Sequence, residues 1–396
     1  MAQPIRKSVI EQHPEAAKEK SFVTLLVDGN NLLRISMADT KRNTRGEHYG
    51  GVFQFLLQLR IIMSKIGSRL DYVYVFFDDH DSGILRYNIY NDYKANRDKD
   101  YANSSYGKSE YWKKLNATIG NMEKAIYKKK KEKSEKEIED RENFDRERDI
   151  ILKCLNELFI RWVFDENTEG DDLIAYYIKN KKKNENVVIM STDHDLTQLI
   201  SEDVCVYDKK LGKYLSYKNF KNYRGTPVEN VLIKKIMLGD DSDNIKGING
   251  LSEKRLVELI PEINDRPVTI SEIKERAQIL IDERVKEKKK PLKWHENIVN
   301  GVCNGNYDGD FYDINEKIIS LKEPLITDEA KNEMDATMYE VQDPTDRSFD
   351  NLFRIMVEEG IDELSDSTRF ARFFEPFKYF IDKEIHRYKE KMRNDR

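Results

Sequence analysis

Residues 22–33 read FVTLLVDGNNLL, an apolar run that stops abruptly at an aspartate. A second run, YVYVFF at 72–77, and a third, VVIM at 187–190, have the same apolar character. Runs this short and this rich in Val, Ile and aromatic residues predict buried strands rather than helices. A fourth run, at 204–207, predicts one more strand. The sequence therefore predicts a buried β-sheet.

The segments between these strands carry helical patterns. Apolar residues recur at helical spacing in 52–66 and again in 173–182. Strands that alternate with helices are typical of a parallel α/β sheet. In such a sheet, functional residues gather beyond the carboxyl ends of the strands. Because Asp28, Asp78 and Asp193 each follow a predicted strand, we expect three carboxylates at one edge of the sheet.

Composition limits the class of protein. The chain has 396 residues, of which 39% are hydrophobic and 36% charged, with a net charge of −5. This length allows one large domain with insertions, or two domains. There is no apolar stretch of about 18 residues and no apolar signal core, so we expect no membrane span. Three scattered cysteines predict a cytoplasmic setting without a zinc site.

Residues 97–150 differ from the rest in composition. They contain four consecutive lysines, and then a mixture of acids and bases with few apolar residues. This pattern predicts a long solvated helix or an arch, and composition alone leaves a plain surface helix equally open. The four lysines are Lys128, Lys129, Lys130 and Lys131.

Further acids lie in short clusters beyond the strand ends. Each cluster has an ordinary explanation, because acids cap helix starts, suit the helix dipole and occur in turns. Brought to one edge, however, the clusters would repel one another and be costly to desolvate. Divalent cations that prefer oxygen ligands, Mg²⁺ or Mn²⁺, resolve this conflict. These acids are Glu169, Asp171, Asp172, Asp195, Asp240, Asp241 and Asp243.

Two such cations suit the hydrolysis of a phosphodiester when they lie about 3.5–4 Å apart. One ion makes hydroxide from water at neutral pH, and the other stabilises the leaving 3′ oxygen. A histidine general base is then not needed. The six histidines show no metal-binding spacing, and we interpret His80 and His194 as residues that flank the acids.

Six motifs resemble those of the 5′-nuclease, or flap endonuclease, family, which includes bacteriophage 5′ nucleases such as phage ribonuclease H and the nuclease domain of bacterial DNA polymerase I. They occur in the family's order. The resemblance implies a PIN-like parallel sheet with flanking helices, a helical arch insertion, a helix–three-turn–helix DNA-binding hairpin and a helical C-terminal extension. The motifs are VDGNNLL (27–33), FFDD (76–79), YKANRD (93–98), EGDDLIAYY (169–177), STDHDLTQLI (191–200) and MLGDDSDNIKGINGLSEK (237–254).

The resemblance implies a role for most of the acids. One group is expected to hold the first metal ion, in part through water, and a second group to lie nearer the second ion. Asp172 matches the second of the family's paired aspartates and is expected to act from the outer shell, whereas Asp79 and Asp241 do not match essential positions. The first group is Asp28, Asp78, Glu169, Asp171 and Asp193, and the second is Asp195, Asp240 and Asp243.

The motif YKANRD resembles the cationic base of the family's arch. Lys94 and Arg97 are expected to hold the scissile phosphate and to stabilise charge as it develops, the alternative being an exposed charged turn. Tyr93 is expected to stack on an unpaired base, or else to pack at a helix start. Lys128–Lys131 are expected to contact the phosphates of a single strand beneath the arch.

Residues 244–254, NIKGINGLSEK, resemble the family's hairpin for duplex phosphates. Backbone amides of a glycine-containing turn bind phosphate without reading sequence. In the family, carbonyls of this hairpin often hold potassium. Serine stands here where glycine is usual; it can cap the next helix but disfavours left-handed backbone angles. The residues expected at this contact are Lys246, Gly247, Gly250, Ser252 and Lys254.

The predicted domains are a polar arm at 1–21, a nuclease domain at 22–235, and a hairpin with a helical C-terminal subdomain at 236–396. The predicted function is a monomeric 5′ nuclease, with two Mg²⁺ or Mn²⁺ ions and K⁺ at the hairpin. Its expected substrate is DNA with a 5′ flap, fork, nick or RNA primer, in the cytoplasm of a bacterial or phage-infected cell. A single-strand-binding or clamp protein is the expected partner. A non-catalytic junction-binding protein of the same fold and a PIN-like single-strand ribonuclease stay open as alternatives.

Overall fold

The computed structural model describes residues 21–79, 82–95, 121–305 and 307–395, without the side chains at 121–135 and 137. Its strands are β1 Phe22–Asp28, β2 Leu70–Asp78, β3 Arg161–Asp165, β4 Glu185–Met190, β5 Val204–Asp208, β6 Lys213–Leu215, β7 Gly239–Asp240 and β8 Ile245–Lys246. Six of them form a central sheet in the order β3-β2-β1-β4-β5-β6. All neighbours in this sheet are parallel except β6, which is antiparallel to β5.

Helices cover both faces of this sheet. Among the described residues, no helix combines the length and apolar character that crossing a bilayer requires. The α-helices are α1 Gly29–Ser36, α2 Gly50–Ile66, α3 Ile84–Ile89, α4 Asn121–Glu157, α5 Gly170–Asn180, α6 Phe220–Arg224, α7 Asn230–Leu238, α8 Glu253–Leu259, α9 Ile270–Lys286, α10 Lys293–Asn300, α11 Phe311–Ile319, α12 Asp328–Thr337, α13 Phe349–Glu358 and α14 Ser367–Asn394. Turns of 3-10 helix lie at Gly67–Arg69, Asp195–Leu199, Pro261–Asn264 and Asp362–Leu364.

The predicted α/β class is confirmed, and the four predicted strands are β1, β2, β4 and β5. The sequence prediction missed β3 and β6. Strand β3 reads RWVFD, and its first residue, Arg161, is almost completely buried. An arginine in that place hides the apolar character by which a buried strand is recognised.

The order of the sheet brings the strand-end aspartates together. Strands β2, β1 and β4 are neighbours, and the chain order reverses between β1 and β4. Asp28 ends β1 and Asp78 ends β2, while Asp193 follows β4 by three residues. Neighbouring strands are about 4.8 Å apart, so the three carboxylates share one edge. Gly29 is needed there, because a Cβ on it would lie 2.7 Å from the carbonyl oxygen of Phe76.

The C-terminal helices pack into the core of the nuclease domain. Phe373, Phe374 and Phe377 of α14 belong to the same buried cluster as helix α2 and strands β1 and β2. Arg161 of β3 donates to both oxygens of Glu384 in α14 at 2.9 Å, and both side chains are fully buried. Buried residues of 349–394 therefore share a hydrophobic cluster with the nuclease domain, and the predicted domain boundary at 235/236 stays a prediction.

Candidate metal centre

The aspartates at the ends of β1 and β2 are oriented by uncharged donors. The backbone amide of Asn31 donates to Asp28 at 3.0 Å, and the hydroxyl of Ser191 donates to its other oxygen at 2.8 Å. Asn30 donates its side-chain amide to Asp78, both to the carboxylate and, at 2.8 Å, to the backbone carbonyl. These donors fix the carboxylates in place without neutralising their charge.

Three more acids join this strand-end group. Glu169 and Asp171 lie at the start of α5, and Asp193 is held by the amide of Asp195, which donates to it at 2.8 Å. Burial and the charges of Asp193 and Asp28 raise the pKa of Asp171 well above its usual range. Burial and the charge of Asp78 likewise raise the pKa of Asp28 to about 7. The group is therefore short of positive charge.

Glu169 is the exception within the strand-end group. Burial alone would raise its pKa, but Arg86 and Lys94 outweigh burial and lower the pKa to about 2. The guanidinium of Arg86 lies 2.7 Å from one carboxylate oxygen, and the ammonium of Lys94 contacts the other. Glu169 is consequently ionised throughout the physiological range.

A second group of acids faces the hairpin. Oxygens of Asp195, Asp240 and Asp243 all lie within 4.8 Å of one another, a spacing that one metal ion could bridge. Lys235, at the end of α7, contacts Asp195 and lies 2.6 Å from Asp240. Burial would lower the pKa of Lys235, but these two acids raise it above its usual value. The sequence prediction missed Lys235, since nothing in the sequence distinguishes it from its neighbour Lys234.

The two groups form one continuous basin of acids, which we call the acid basin. The hydroxyl of Tyr93 lies 3.0 Å from Glu169 and 3.3 Å from Asp243, and so joins one group to the other. Burial raises the pKa of Asp195 to about 6 against the effect of Lys235, and the charge of Asp193 contributes to this rise. The stacking role expected for Tyr93 does not fit its burial, which favours the alternative of packing.

Asp172 lies behind the acid basin rather than in it. Arg86 contacts both of its oxygens, and the amide of Leu325 donates to one of them at 2.9 Å. Arg86 also donates to the carbonyl of Ile318 at 2.8 Å. Because the same guanidinium holds Glu169, Asp172 supports the basin from outside. The sequence prediction missed Arg86, whose partners come from distant segments.

Several predicted contacts fall beyond what the structure describes. Arg97 and His80 lie outside the described residues. The backbone of Lys128–Lys131 belongs to α4, but the side chains of these four lysines are not described. Lys94 is described, and its ammonium faces the acid basin beside Glu169. Its backbone amide donates to the carbonyl of Asp243 at 2.9 Å, which docks the YKAN segment on the hairpin.

The hairpin follows directly from the acid basin. Asn244 and Gly250 have φ angles of 57° and 77°, so the left-handed positions fall on residues that tolerate them. Ser252 is extended and caps α8, accepting a hydrogen bond from the amide of Arg255. A Cβ on Gly247 would lie 2.2 Å from the backbone of Leu238, so this turn needs glycine. The serine is thus compatible with the hairpin.

The two lysines of the hairpin, Lys246 and Lys254, differ in their surroundings. Lys246 donates to the side-chain oxygen of Asn244 at 2.7 Å, and this bond fixes its direction. Lys254 is exposed, with Glu258 3.9 Å away. Of these two lysines, Lys254 is therefore the more accessible to a phosphate.

The segments that carry most of the acid basin resemble known proteins. Residues 23–225 match the family model described as 5′-3′ exonuclease, N-terminal resolvase-like domain. A 5′-3′ exonuclease of Mycoplasmopsis pulmonis is 30% identical over 241 residues, which are 59% of this chain and 65% of that protein. DNA polymerase I of Rhizobium leguminosarum is 34% identical over 122 residues, which are 29% of this chain and 12% of the polymerase.

The chain thus spans less than two thirds of the length of these two relatives.

Among solved structures, the flap endonuclease of bacteriophage T5, crystallised with DNA and metal ions, aligns with a TM-score of 0.52. It is 17% identical, and the alignment covers 85% of this chain and 97% of that one. At that identity, the likeness concerns the fold alone.

Proposed function

The chain belongs to the 5′-3′ exonuclease family, as its six motifs predict, and we propose that it hydrolyses phosphodiester bonds near the 5′ ends of branched, nicked or RNA-primed DNA. One observation carries this proposal. Acids from five separate segments of the chain interact across one basin, and oxygens of Asp195, Asp240 and Asp243 lie within 4.8 Å of one another. Burial and the charges of neighbouring acids raise the pKa of Asp28, Asp171 and Asp195, so these three acids need a cation beyond the internal ones of the basin.

The donor set fits two hard divalent cations. All the side chains offered are carboxylates, which Mg²⁺ and Mn²⁺ prefer over softer ligands. In this proposal the strand-end group would hold one ion, and Asp195, Asp240 and Asp243 would hold the other. When bound, such ions activate water, polarise the phosphate and stabilise the leaving oxygen.

The residues of the chain position the substrate around those ions. Lys94 presents an ammonium at the rim of the acid basin, where it would hold the scissile phosphate and offset charge that develops on it. Tyr93 and Arg86 hold Glu169 in place. We keep Arg97 as a second phosphate contact and Lys128–Lys131 as contacts to the 5′ strand, on the family resemblance alone.

The hairpin would bind the duplex next to the cleavage point. Its glycine-containing turn and Lys254 suit phosphates and carry no groups that read a base. Potassium fits less well, because the carbonyl of Asn249 already accepts from Asn297 at 2.8 Å and that of Gly250 from the guanidinium of Arg255. We therefore do not propose a potassium ion at the hairpin.

The proposed setting is the cytoplasm of a bacterial or phage-infected cell during replication or repair. The three cysteines are free thiols, as is usual in a reducing compartment. A single-strand-binding or clamp protein is the proposed partner, and the proposed state of the enzyme is a monomer.

A cleavage assay tests the proposal. Labelled flapped, nicked, gapped and RNA-primed duplexes would be compared with and without Mg²⁺. We expect Mg²⁺-dependent cutting that requires a 5′ end, and Asp78→Asn and Asp193→Asn should bind forked DNA but fail to cut it. Asp241→Asn is the matched control, since this exposed acid stands in the same turn as Asp240 but outside the proposed ligand set. Full activity in either of the first two variants would refute the metal assignment.

A further inference from the structure

The turn between α9 and α10 concentrates positive charge. Residues 284–293 read RVKEKKKPLK, with six basic residues and one acid, in a chain whose net charge is −5. All five lysines of this segment are exposed. Within the described part of the chain, Lys289 pairs with Glu287 at 2.8 Å, and the other four lysines have no acidic partner. We call the segment 284–293 the lysine turn.

The backbone of the lysine turn is fixed by its own hydrogen bonds. The amide of Lys288 donates to the carbonyl of Val285 at 2.9 Å, and that of Lys289 to the carbonyl of Arg284 at 2.8 Å. The side chain of Arg284 then closes the turn by donating to the carbonyl of Lys290 at 2.9 Å. Lys288 takes a left-handed conformation with φ of 57°, which ends α9. The charges are therefore presented on a fixed backbone.

Helix α10 attaches this turn directly to the hairpin. The Cβ of Trp294 lies 3.6 Å from where a Cβ on Gly250 would stand, and the guanidinium of Arg255 lies 5.7 Å from the centre of the Trp294 ring. Asn297 donates to the carbonyl of Asn249 at 2.8 Å. Lys290 precedes Trp294 by four residues, so its Cα lies within about 14 Å of that of Trp294. The lysine turn therefore lies beside the hairpin.

We propose that the lysine turn is a second binding surface for the phosphates of duplex DNA, which extends the grip of the hairpin along the duplex. This inference rests on the proposed function, because it needs the hairpin to meet a duplex. DNA carries one negative charge per about 1.7 Å of its axis, so a duplex leaving the hairpin presents many phosphates within reach of these side chains. The contacts are to the backbone and carry no sequence preference.

The test compares DNA binding by the full chain and by a variant with Lys286, Lys288, Lys289 and Lys290 changed to Ala. The wild type should bind a flapped substrate with a duplex arm of about 20 base pairs more tightly than one with an arm of about 8. The variant should lose most of this difference, and its slope of log affinity against log salt should be shallower by about 2 to 4. In a cleavage assay, the variant should show a higher KM for the flapped substrate.

The matched control changes Lys389, Lys391 and Arg393, which are exposed at the far end of α14, and should leave affinity and salt slope as in the wild type. A second variant, Lys288→Glu with Lys290→Glu, changes the charge by the same four units and should weaken binding by a similar factor. If the wild type binds DNA and these variants bind equally well with the same salt slope, the lysine turn has no such role, and an acidic protein partner becomes the alternative. If the wild type binds no DNA at all, the proposed function fails as well.

Discussion

The two groups of the acid basin solve the same electrostatic problem differently. In the strand-end group, Asp28 and Asp78 are oriented by amides and hydroxyls, and the cations Arg86 and Lys94 contact Glu169 instead. In the hairpin-side group, the ammonium of Lys235 lies between Asp195 and Asp240. The difference follows from position, because a sheet edge supplies backbone and short polar side chains, whereas a helix end can reach inwards with a long one.

This contrast predicts unequal affinities for cations. Among the described residues of the strand-end group, Arg86 and Lys94 contact Glu169 and no cation contacts Asp28 or Asp171, so an added divalent ion meets less competition beside these two aspartates. In the hairpin-side group, Lys235 must share or give up its carboxylates when an ion enters. We therefore expect a tight first site and a weaker second one. The first and third of the four predictions below test that inequality directly, and the other two test the electrostatics behind it.

The largest effect is expected from Asp171→Asn. This change removes an acid from the tight site, and we expect a loss of about a thousandfold in kcat at every Mg²⁺ concentration, equivalent to about 4 kcal/mol. Asp195→Asn removes an acid from the weak site, so part of its lost rate should return as Mg²⁺ is raised. The measurement is the single-turnover cleavage rate of both variants at a series of Mg²⁺ concentrations. Equal recovery of both variants at high Mg²⁺ would contradict the inequality.

The second effect is on stability against pH in the absence of metal. Because the folded pKa of Asp28 is raised from 3.8 to about 7, its stabilising contribution is full below pH 3.8 and is lost as the pH rises towards 7. Between its unfolded and its folded pKa, each such group lowers the free energy of unfolding by about 1.4 kcal/mol per pH unit. Thermal unfolding in EDTA should show the melting temperature falling from about pH 5 to about pH 7.

Two controls separate this effect from general acid sensitivity. Asp28→Asn should flatten the slope, and Mg²⁺ should restore stability most at high pH. Glu169, whose pKa is lowered from 4.5 to about 2, contributes with the opposite sign, and its contribution is lost only as the pH falls below 4.5. A melting temperature that rises steadily between about pH 5 and about pH 7 would show that the strand-end acids are not under strain.

The third effect concerns the internal cation. Lys235→Met removes the ammonium from Asp195 and Asp240 while it keeps most of the apolar stem. The metal-free protein should lose stability, and Mn²⁺ should bind the second site about tenfold more tightly, equivalent to about 1.4 kcal/mol. The Mn²⁺ affinity of this variant is measured by calorimetric titration and compared with that of Lys234→Met, a change at the neighbouring residue of the same helix. Weaker Mn²⁺ binding in Lys235→Met would mean that the lysine assists the ion instead of competing with it.

The smallest effect is expected from Tyr93→Phe, which removes the hydroxyl that joins the two groups. A hydrogen bond to a charged group contributes about 1.5 to 3 kcal/mol to stability, and only the part that differs between ground state and transition state lowers kcat. We expect kcat to fall by about tenfold or less, with DNA affinity unchanged because the ring is buried. A large loss of DNA affinity without a change in kcat would instead restore the stacking role.

The parts of the site that could be predicted from sequence are those with a local signal. An apolar run followed by an acid marks Asp28 and Asp78, and the chain order of strands and helices then implies that they meet. The hairpin was predicted from the resemblance of residues 237–254 to one continuous motif of the family. In each case, residues within one short segment determine the local geometry.

The parts that could not be predicted depend on distant partners. Arg86 and Lys235 are ordinary basic residues of helices, and only the folded chain brings them to Glu169 and Asp240. The aromatic residues of α14 had helical spacing, but nothing in that spacing indicates that they pack against helix α2. Arg161 conceals β3 because its charge is compensated by Glu384, which is distant along the chain.

The most direct test of the acid basin is to locate manganese in crystals of the protein with a 5′-flapped DNA, from anomalous scattering. We predict two peaks about 3.5–4 Å apart, the first against Asp28, Asp171 and their neighbours and the second against Asp195, Asp240 and Asp243. The first peak should appear at lower manganese concentration than the second. Peaks elsewhere on the surface, with Lys235 still bridging its two acids and no ion among the strand ends, would contradict the account.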